Sequence, residues 1–484
     1  MASVKGNIIL NGINTITGIL FPVITFPYAA RVLMPEGIGA VNFLNSIIGY
    51  IVLLTSLGIP MYAVKEVAKY RNDKLTRDKI TVEIILLSTI LCLLGYVAVW
   101  LLAEFVPQIH QQAALFYILS LTIVFTSIGV NWFYQGIEDF KFITIRAIII
   151  RTLAAAALFI FVRDPSDLLI YGMIIVGSTV GNNFINFIHL RKHIDKRSLN
   201  LRELSVFRHL KPALQVFILN LIISLYIQLN SIMLGFISGD EAVGYFTAGT
   251  KITHIGLTIV CSIGTVLLPR CSHLIKEGNV SGFTSVINKS LNIALALSLP
   301  MTVGIILLAS PIIEVFCGID YLAAIPILYL NAPVIILGSL TNVMGVQILY
   351  PMDKMKIVIM SVSGGAIMNL IFNIILIPLY DATGAAVSTL IAETSAFIIQ
   401  LLCGKRYYPF KLHSLLNIKY ILSTIIMGVV IIPINLMDDA IYKLILGLLA
   451  GIVSYGLLLV IAKESMLIDL YRLLFHKGPY NKNK

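Results

Sequence analysis

The chain has 484 residues, of which 58% are hydrophobic and 12% charged, against about 25% charged in a soluble domain. Apolar runs of about 20 residues, each enough to span a hydrocarbon core, recur from end to end, and this excludes a soluble enzyme. The formal net charge of +11 would suggest nucleic acid in a soluble protein, but its distribution along this chain gives a different reading.

The runs predict an all-α polytopic membrane protein with fourteen transmembrane helices, at about 8–32, 38–63, 80–106, 113–136, 142–162, 167–190, 212–237, 241–268, 283–308, 322–349, 356–379, 383–404, 417–437 and 440–462. The first follows Lys5 without a small-residue cleavage site, so it reads as a retained helix rather than a removable signal. With the N-terminus inside, 30 of the 35 Lys and Arg fall in inside segments. Three, Arg31, Arg163 and Lys443, fall outside, and Arg151 and Lys251 fall within spans. This asymmetry follows the positive-inside rule and predicts an even number of spans with both termini cytoplasmic. The basic loops then read as topology signals that meet anionic headgroups, and no nucleic-acid partner is needed.

The five cysteines form no CxxC pair and read as small buried hydrophobes. No phosphate-binding loop of the GxxxxGK[ST] type occurs, so no ATPase is built in. No loop exceeds about 22 residues, which leaves no room for a catalytic domain. The expectation is a protein that is not an enzyme and carries no cofactor or metal.

Two halves of the chain are similar. "PEGIGAVNFLNSI" (35–47) aligns with "DEAVGYFTAGTKI" (240–252), which sets Gly39 on Gly244 and Ser46 on Lys251. "YQGIEDFKFI" (134–143) aligns with "LYPMDKMKIV" (349–358), which sets Lys141 on Lys356. A six-helix repeat enters the membrane twice in the same sense, so the axis relating the lobes is expected to be a pseudo-two-fold along the membrane normal. The expected organisation is an N-terminal lobe (1–190), a cytoplasmic linker (191–211), a C-terminal lobe (212–404), two extra helices (405–462) and a cytoplasmic tail (463–484).

The segments "FPYAARVLMPEGIGAVNF" (26–43), "NWFYQGIEDFKFITIR" (131–146) and "NSIMLGFISGDEAVGYFTAGTKI" (230–252) resemble the polysaccharide biosynthesis and oligosaccharide flippase family. These are the O-antigen and capsule translocases of the multidrug/oligosaccharidyl-lipid/polysaccharide exporter superfamily. The resemblance covers the first twelve spans. It implies alternating access and transfer of an undecaprenyl-pyrophosphate-linked repeat unit from the cytoplasmic to the outer leaflet of a bacterial inner membrane. The partners implied are that glycan lipid, the bilayer, a polysaccharide polymerase and a chain-length regulator. Coupling to H⁺, to Na⁺ or to the membrane potential stays open. Relatives often carry Asp where Asn230 stands, so a coupling scheme built on a carboxylate there is in doubt. The alternatives are a cation-coupled multidrug exporter, a lipid II flippase and a membrane-embedded polymerase.

Charges in mid-span mark function in such a protein. Lys251 and Arg151 are expected near the midplane, where a point charge and a fork would receive a pyrophosphate. Glu393 is expected at a similar depth, either balancing Lys251 or titrating as a coupling group. A structural ion pair is the competing reading. His254, one turn from Lys251, is a weaker candidate. Asn7, Asn11, Asn14, Gly18 and Pro22 share one helix face, as do Asn42, Asn45 and Gly49. These faces suit either sugar hydroxyls or interhelical hydrogen bonds. Asn182, Asn183, Asn186, Asn369 and Asn373 read as packing. Pro22 and Pro27 are expected to bend the first helix as a gate, with Arg31 and Glu36 at its outer mouth.

Overall fold

The structure, a computed structural model, describes residues 4–194, 204–408 and 417–464. The side chains of Asn7 and Asn11, the middle of the linker, Lys411 in the 405–419 loop and the tail beyond residue 464 lie outside the described residues.

The α-helices in chain order are α1 (Val4–Ser56), α2 (Ile59–Lys69), α3 (Lys74–Phe105), α4 (Pro107–His110), α5 (Ala113–Ile128), α6 (Asn131–Gly136), α7 (Phe140–Phe161), α8 (Leu168–Leu190), α9 (Leu210–Ile237), α10 (Asp240–Lys276), α11 (Val280–Leu307), α12 (Ala309–Phe316), α13 (Ile325–Asn331), α14 (Val334–Asn342), α15 (Met355–Gly404), α16 (Ile418–Ile431) and α17 (Ala440–Ile461). Among the described residues there is no strand. In hydrocarbon a lone helix satisfies its own backbone, which an open strand does not.

Among the described residues nine helices are long and apolar enough to cross a membrane, or eleven if each of two bent pairs counts as one span. Two of the nine, Gly12–Lys69 and Met355–Tyr407, run 58 and 53 residues, more than twice the roughly 20 that a bilayer needs. Each contains a residue with non-helical angles: Met34 (φ 61°) in α1 and Asp381 (φ 47°) in α15. Both lie in gaps expected between spans. Met34 precedes Pro35, and a residue before proline is driven out of the α region. Pro22 and Pro27 keep helical angles, so the break in α1 is at Met34 and not at either of them. The bend of 44° between Ile319–Asn331 and Val334–Leu349 is centred on Pro333. Short side chains cap the interfacial ends: Asp73 accepts from the Thr76 amide, Asp139 from Phe142 and Asn279 from Gly282.

The contacts divide the chain into two compact units, Met1–Thr247 with Ile377–Ala382, and Ala248–Leu376 with Thr383–Lys484. In the first, α1 packs against α3, α5, α7 and α9, and α5 packs against α8. Its core joins Ile59, Ala63, Ile84 and Leu87 to Trp132, Phe133 and Tyr134. The unit reaches past the linker because α9 and the first turns of α10 lie close on α1. A Cβ on Gly39 would overlap the Asp240 carbonyl, and one on Gly244 would overlap the Pro35 carbonyl. These two overlaps are reciprocal, since Pro35 aligns with Asp240 just as Gly39 aligns with Gly244. Only glycine at both places lets the helices approach this closely.

In the second unit α11 packs on α14 and α16, and α17 packs on α12 and α16. Its core includes Ile287, Leu291, Leu295, Ile335, Ile348 and Tyr420. Asn369 and Asn373 are fully buried and bonded to each other at 3.1 Å, as a packing role requires. Exposed Ile441, Leu449, Ile452 and Val460 give α17 an apolar outer face of the kind that meets lipid.

Candidate functional site

In the first unit, Arg151 stands midway along α7 and reaches the polar face of α1. Its Nη1 donates to the Asn14 carbonyl (3.0 Å), to Asn14 Oδ1 (3.1 Å) and to Thr17 Oγ1 (2.8 Å). Gly18 lies on the same face: a Cβ there would meet Arg151 Nη2 in ordinary van der Waals contact at 3.5 Å. All three acceptors are neutral. A guanidinium solvated by neutral oxygens keeps its charge for an anion. The helical spacing of Asn14 and Gly18 therefore marks a face that holds a cation.

The remaining candidates of this unit behave differently from one another. Asn42 turns its Nδ2 back to the Ile38 carbonyl (2.7 Å), and Ser46 bonds the Asn42 carbonyl (2.7 Å). Asn45 is exposed and Asn230 is buried. Pro22 and Pro27 are half-buried and Arg31 is exposed.

In the second unit, Lys251 is half-buried eleven residues into α10, about 16 Å along its axis. His254 is exposed, and its carbonyl accepts from Thr258 Oγ1 at 2.7 Å. Glu393 is half-buried on α15.

Two features escape the sequence. The first is a cavity of about 670 Å³ in the first unit, with Ser56, Thr126, Asn131, Trp132, Gln135 and Asn183 on its wall. Amides and hydroxyls beside an indole suit a sugar's hydroxyls and its apolar ring face. Asn183, which the sequence assigns to packing, reaches this wall because Gly129 has no side chain: a Cβ there would overlap its amide. The polar, aromatic run "NWFYQG" (131–136) is the signal in the sequence that could have found it.

The second feature is a buried carboxylate. Glu83, near the start of α3, is fully buried and accepts from the Ser205 amide (2.7 Å), His209 Nε2 (2.9 Å) and Arg208. Tyr62 Oη lies 2.8 Å from His209 Nδ1. Burial pushes the His209 imidazole below its ordinary value, and the bond to Glu83 offsets only part of this. Arg77 pairs with Asp78 at 2.8 Å and donates to the His193 carbonyl at 3.2 Å. The linker is thus tied to α3 at both described ends.

A family model described as polysaccharide biosynthesis protein matches residues 4–275, more than half of the chain. The chain belongs to the polysaccharide biosynthesis protein family. This agrees with the family that its motifs resemble. The chain is 28% identical over 401 residues to an Escherichia coli K12 protein named "Putative O-antigen transporter", which covers 81% of this chain and 94% of that one. It is also 28% identical over 186 residues to the lipid II flippase MurJ of Bacillus subtilis, covering 37% and 34%. The inward closed conformation of the lipid II flippase MurJ superposes with a TM-score of 0.76 at 18% identity, over 95% of this chain and 100% of that one. An inward-facing multidrug resistance MATE family transporter of the MOP superfamily superposes at 0.63 and 17% identity, over 83% and 97%. This polysaccharide biosynthesis family member therefore has the polytopic all-α fold of that superfamily.

Proposed function

We propose that this protein is a flippase that carries an undecaprenyl-pyrophosphate-linked oligosaccharide repeat unit from the cytoplasmic to the outer leaflet of a bacterial inner membrane. The termini are cytoplasmic in this reading, as the charge asymmetry of the loops predicts. The observation that carries the proposal is the placing of Arg151 and Lys251. Each lies deep in a membrane helix, and Arg151 is held by neutral oxygens, an arrangement suited to a migrating anion. The amide-lined cavity of the first unit supplies donors and acceptors for sugar. The relatives are named as transporters or flippases, which favours transport over polymerisation. The likeness to the O-antigen relative spans far more of the chain than the likeness to the lipid II flippase, and this favours an oligosaccharide repeat unit over lipid II. Moving a net negative headgroup outward is assisted by an inside-negative potential, by about 2.3 kcal/mol per charge per 100 mV, so strict ion antiport is unnecessary.

The test is translocation in proteoliposomes of a labelled undecaprenyl-pyrophosphate oligosaccharide, scored by access to a membrane-impermeant lectin. Wild type should move it. Transport of lipid II or a cationic dye in its place would transfer the proposal to one of the alternatives.

A further inference from the structure

A groove of about 450 Å³ runs between α7 and α8 at the end of the first unit that carries the basic loops. One wall is apolar: Ile145, Ile149 and Ile185 line it and are also exposed, at 46%, 52% and 37%. Its head holds Lys141, Arg146 and His189. Arg146 is only 7% exposed. Its Nε donates to Asn182 Oδ1 (3.1 Å) and its Nη2 to Asn131 Oδ1 (3.4 Å), while Nη1 is buried without a partner. His189 stacks on Phe142 with centroids 4.2 Å apart, and its Nδ1 is also buried without a partner.

The nearby carboxylates are committed elsewhere. Asp139, which also lines the groove, caps α7 by accepting from the Phe142 amide at 3.2 Å. Glu138 pairs with Arg71 at 2.9 Å. The groove head is therefore positive, and its buried guanidinium faces neutral amides where an anion would complete it. From Lys141 to Ile149 the groove follows α7 for about 12 Å, the length of a substantial piece of an acyl chain, and it opens sideways through exposed isoleucines.

We propose that this groove binds an anionic glycerophospholipid of the surrounding leaflet, with the phosphate at Lys141 and Arg146 and an acyl chain along Ile145, Ile149 and Ile185. A soluble phosphate would use the head and leave the wall without a purpose. The lipid uses both. Lysine at the membrane surface adds attraction for such headgroups. The groove adjoins the cavity given to the sugar, since Arg146 bonds Asn131 of that cavity's wall, but its test reads lipid binding and needs no transport.

The experiment is thermal unfolding of the full chain in detergent, titrated with phosphatidylglycerol, phosphatidylcholine or glycerol 3-phosphate. The variants are Lys141→Gln, Ile149→Trp, which fills the groove without changing charge, and Lys211→Gln as a control at the same end of the unit. Phosphatidylglycerol should stabilise wild type at about tenfold lower concentration than phosphatidylcholine, and glycerol 3-phosphate should do nothing. Lys141→Gln and Ile149→Trp should each weaken the phosphatidylglycerol response about tenfold, and Lys211→Gln should leave it unchanged. Equal responses to the two lipids, or an Ile149→Trp variant that responds as wild type does, would overturn the proposal. An equal effect of Lys211→Gln would reduce it to diffuse surface charge, and a response to glycerol 3-phosphate matching phosphatidylglycerol would make it a soluble-phosphate site; either result rejects the lipid.

Discussion

Glu83 and Arg151 are both charges inside the first unit, and the chain provides for them in opposite ways. Glu83 meets a guanidinium, an imidazole and a backbone amide. Arg151 meets a carbonyl, an amide oxygen and a hydroxyl. A buried carboxylate matched by one guanidinium and by neutral donors fixes geometry and leaves no charge over for a ligand. A guanidinium solvated by neutral oxygens is held in place without being neutralised. The first arrangement is a clamp that ties the linker to α3. The second keeps a positive charge available in mid-membrane. Arg146, held by two asparagines, belongs with Arg151.

If this contrast is right, mutations at the two places should separate stability from transport. Glu83→Ala should produce the largest loss, about 3 kcal/mol of stability, because it leaves the buried His209 Nε2–H and the Ser205 amide without their acceptor. Its melting temperature should fall, while the protein that remains folded still transports. Arg151→Gln should do the reverse, with stability within about 1 kcal/mol of wild type and translocation down about tenfold, equivalent to about 1.4 kcal/mol. A Glu83→Ala protein that is stable but inactive would break the contrast. Asn183→Ala should have a smaller effect, a few-fold rise in the glycan-lipid concentration needed for half-maximal transport, from the loss of about one neutral hydrogen bond.

The pH dependence of the clamp is the smallest effect. His209 is held neutral, its pKa lying below the ordinary 6.5. Its contribution is therefore complete above pH 6.5 and is lost as the pH falls toward its folded value. Melting temperature should drop on acidification, and His209→Gln should remove part of that drop.

Local patterns carried much of this architecture into the sequence. The dipeptide Met34–Pro35 marks the break in α1, because proline constrains the residue before it. The aligned glycines Gly39 and Gly244 mark the close crossing, although only the structure shows each meeting the other's segment. The spacing of Asn14 and Gly18 reveals a polar face. What that face holds comes from a residue 137 positions away, and no periodicity reports such a pairing. Glu83 reads as an ordinary interfacial charge at the start of a span, since its partners lie 122 to 126 residues further on. Asn183 reads as packing in the sequence, and it reaches the cavity wall because Gly129, on another helix end, leaves space for its amide. Pro22 and Pro27 keep helical angles, and the break in α1 falls at Met34.

The most direct test of the account is translocation of the undecaprenyl-pyrophosphate oligosaccharide in proteoliposomes by wild type, Lys251→Ala and Lys251→Arg, with and without an inside-negative potential. Lys251→Ala should abolish transport with expression intact, Lys251→Arg should preserve part of it, and the potential should accelerate wild type. Wild-type rates in a stable Lys251→Ala protein would contradict it and leave the lysine a packing residue of α10.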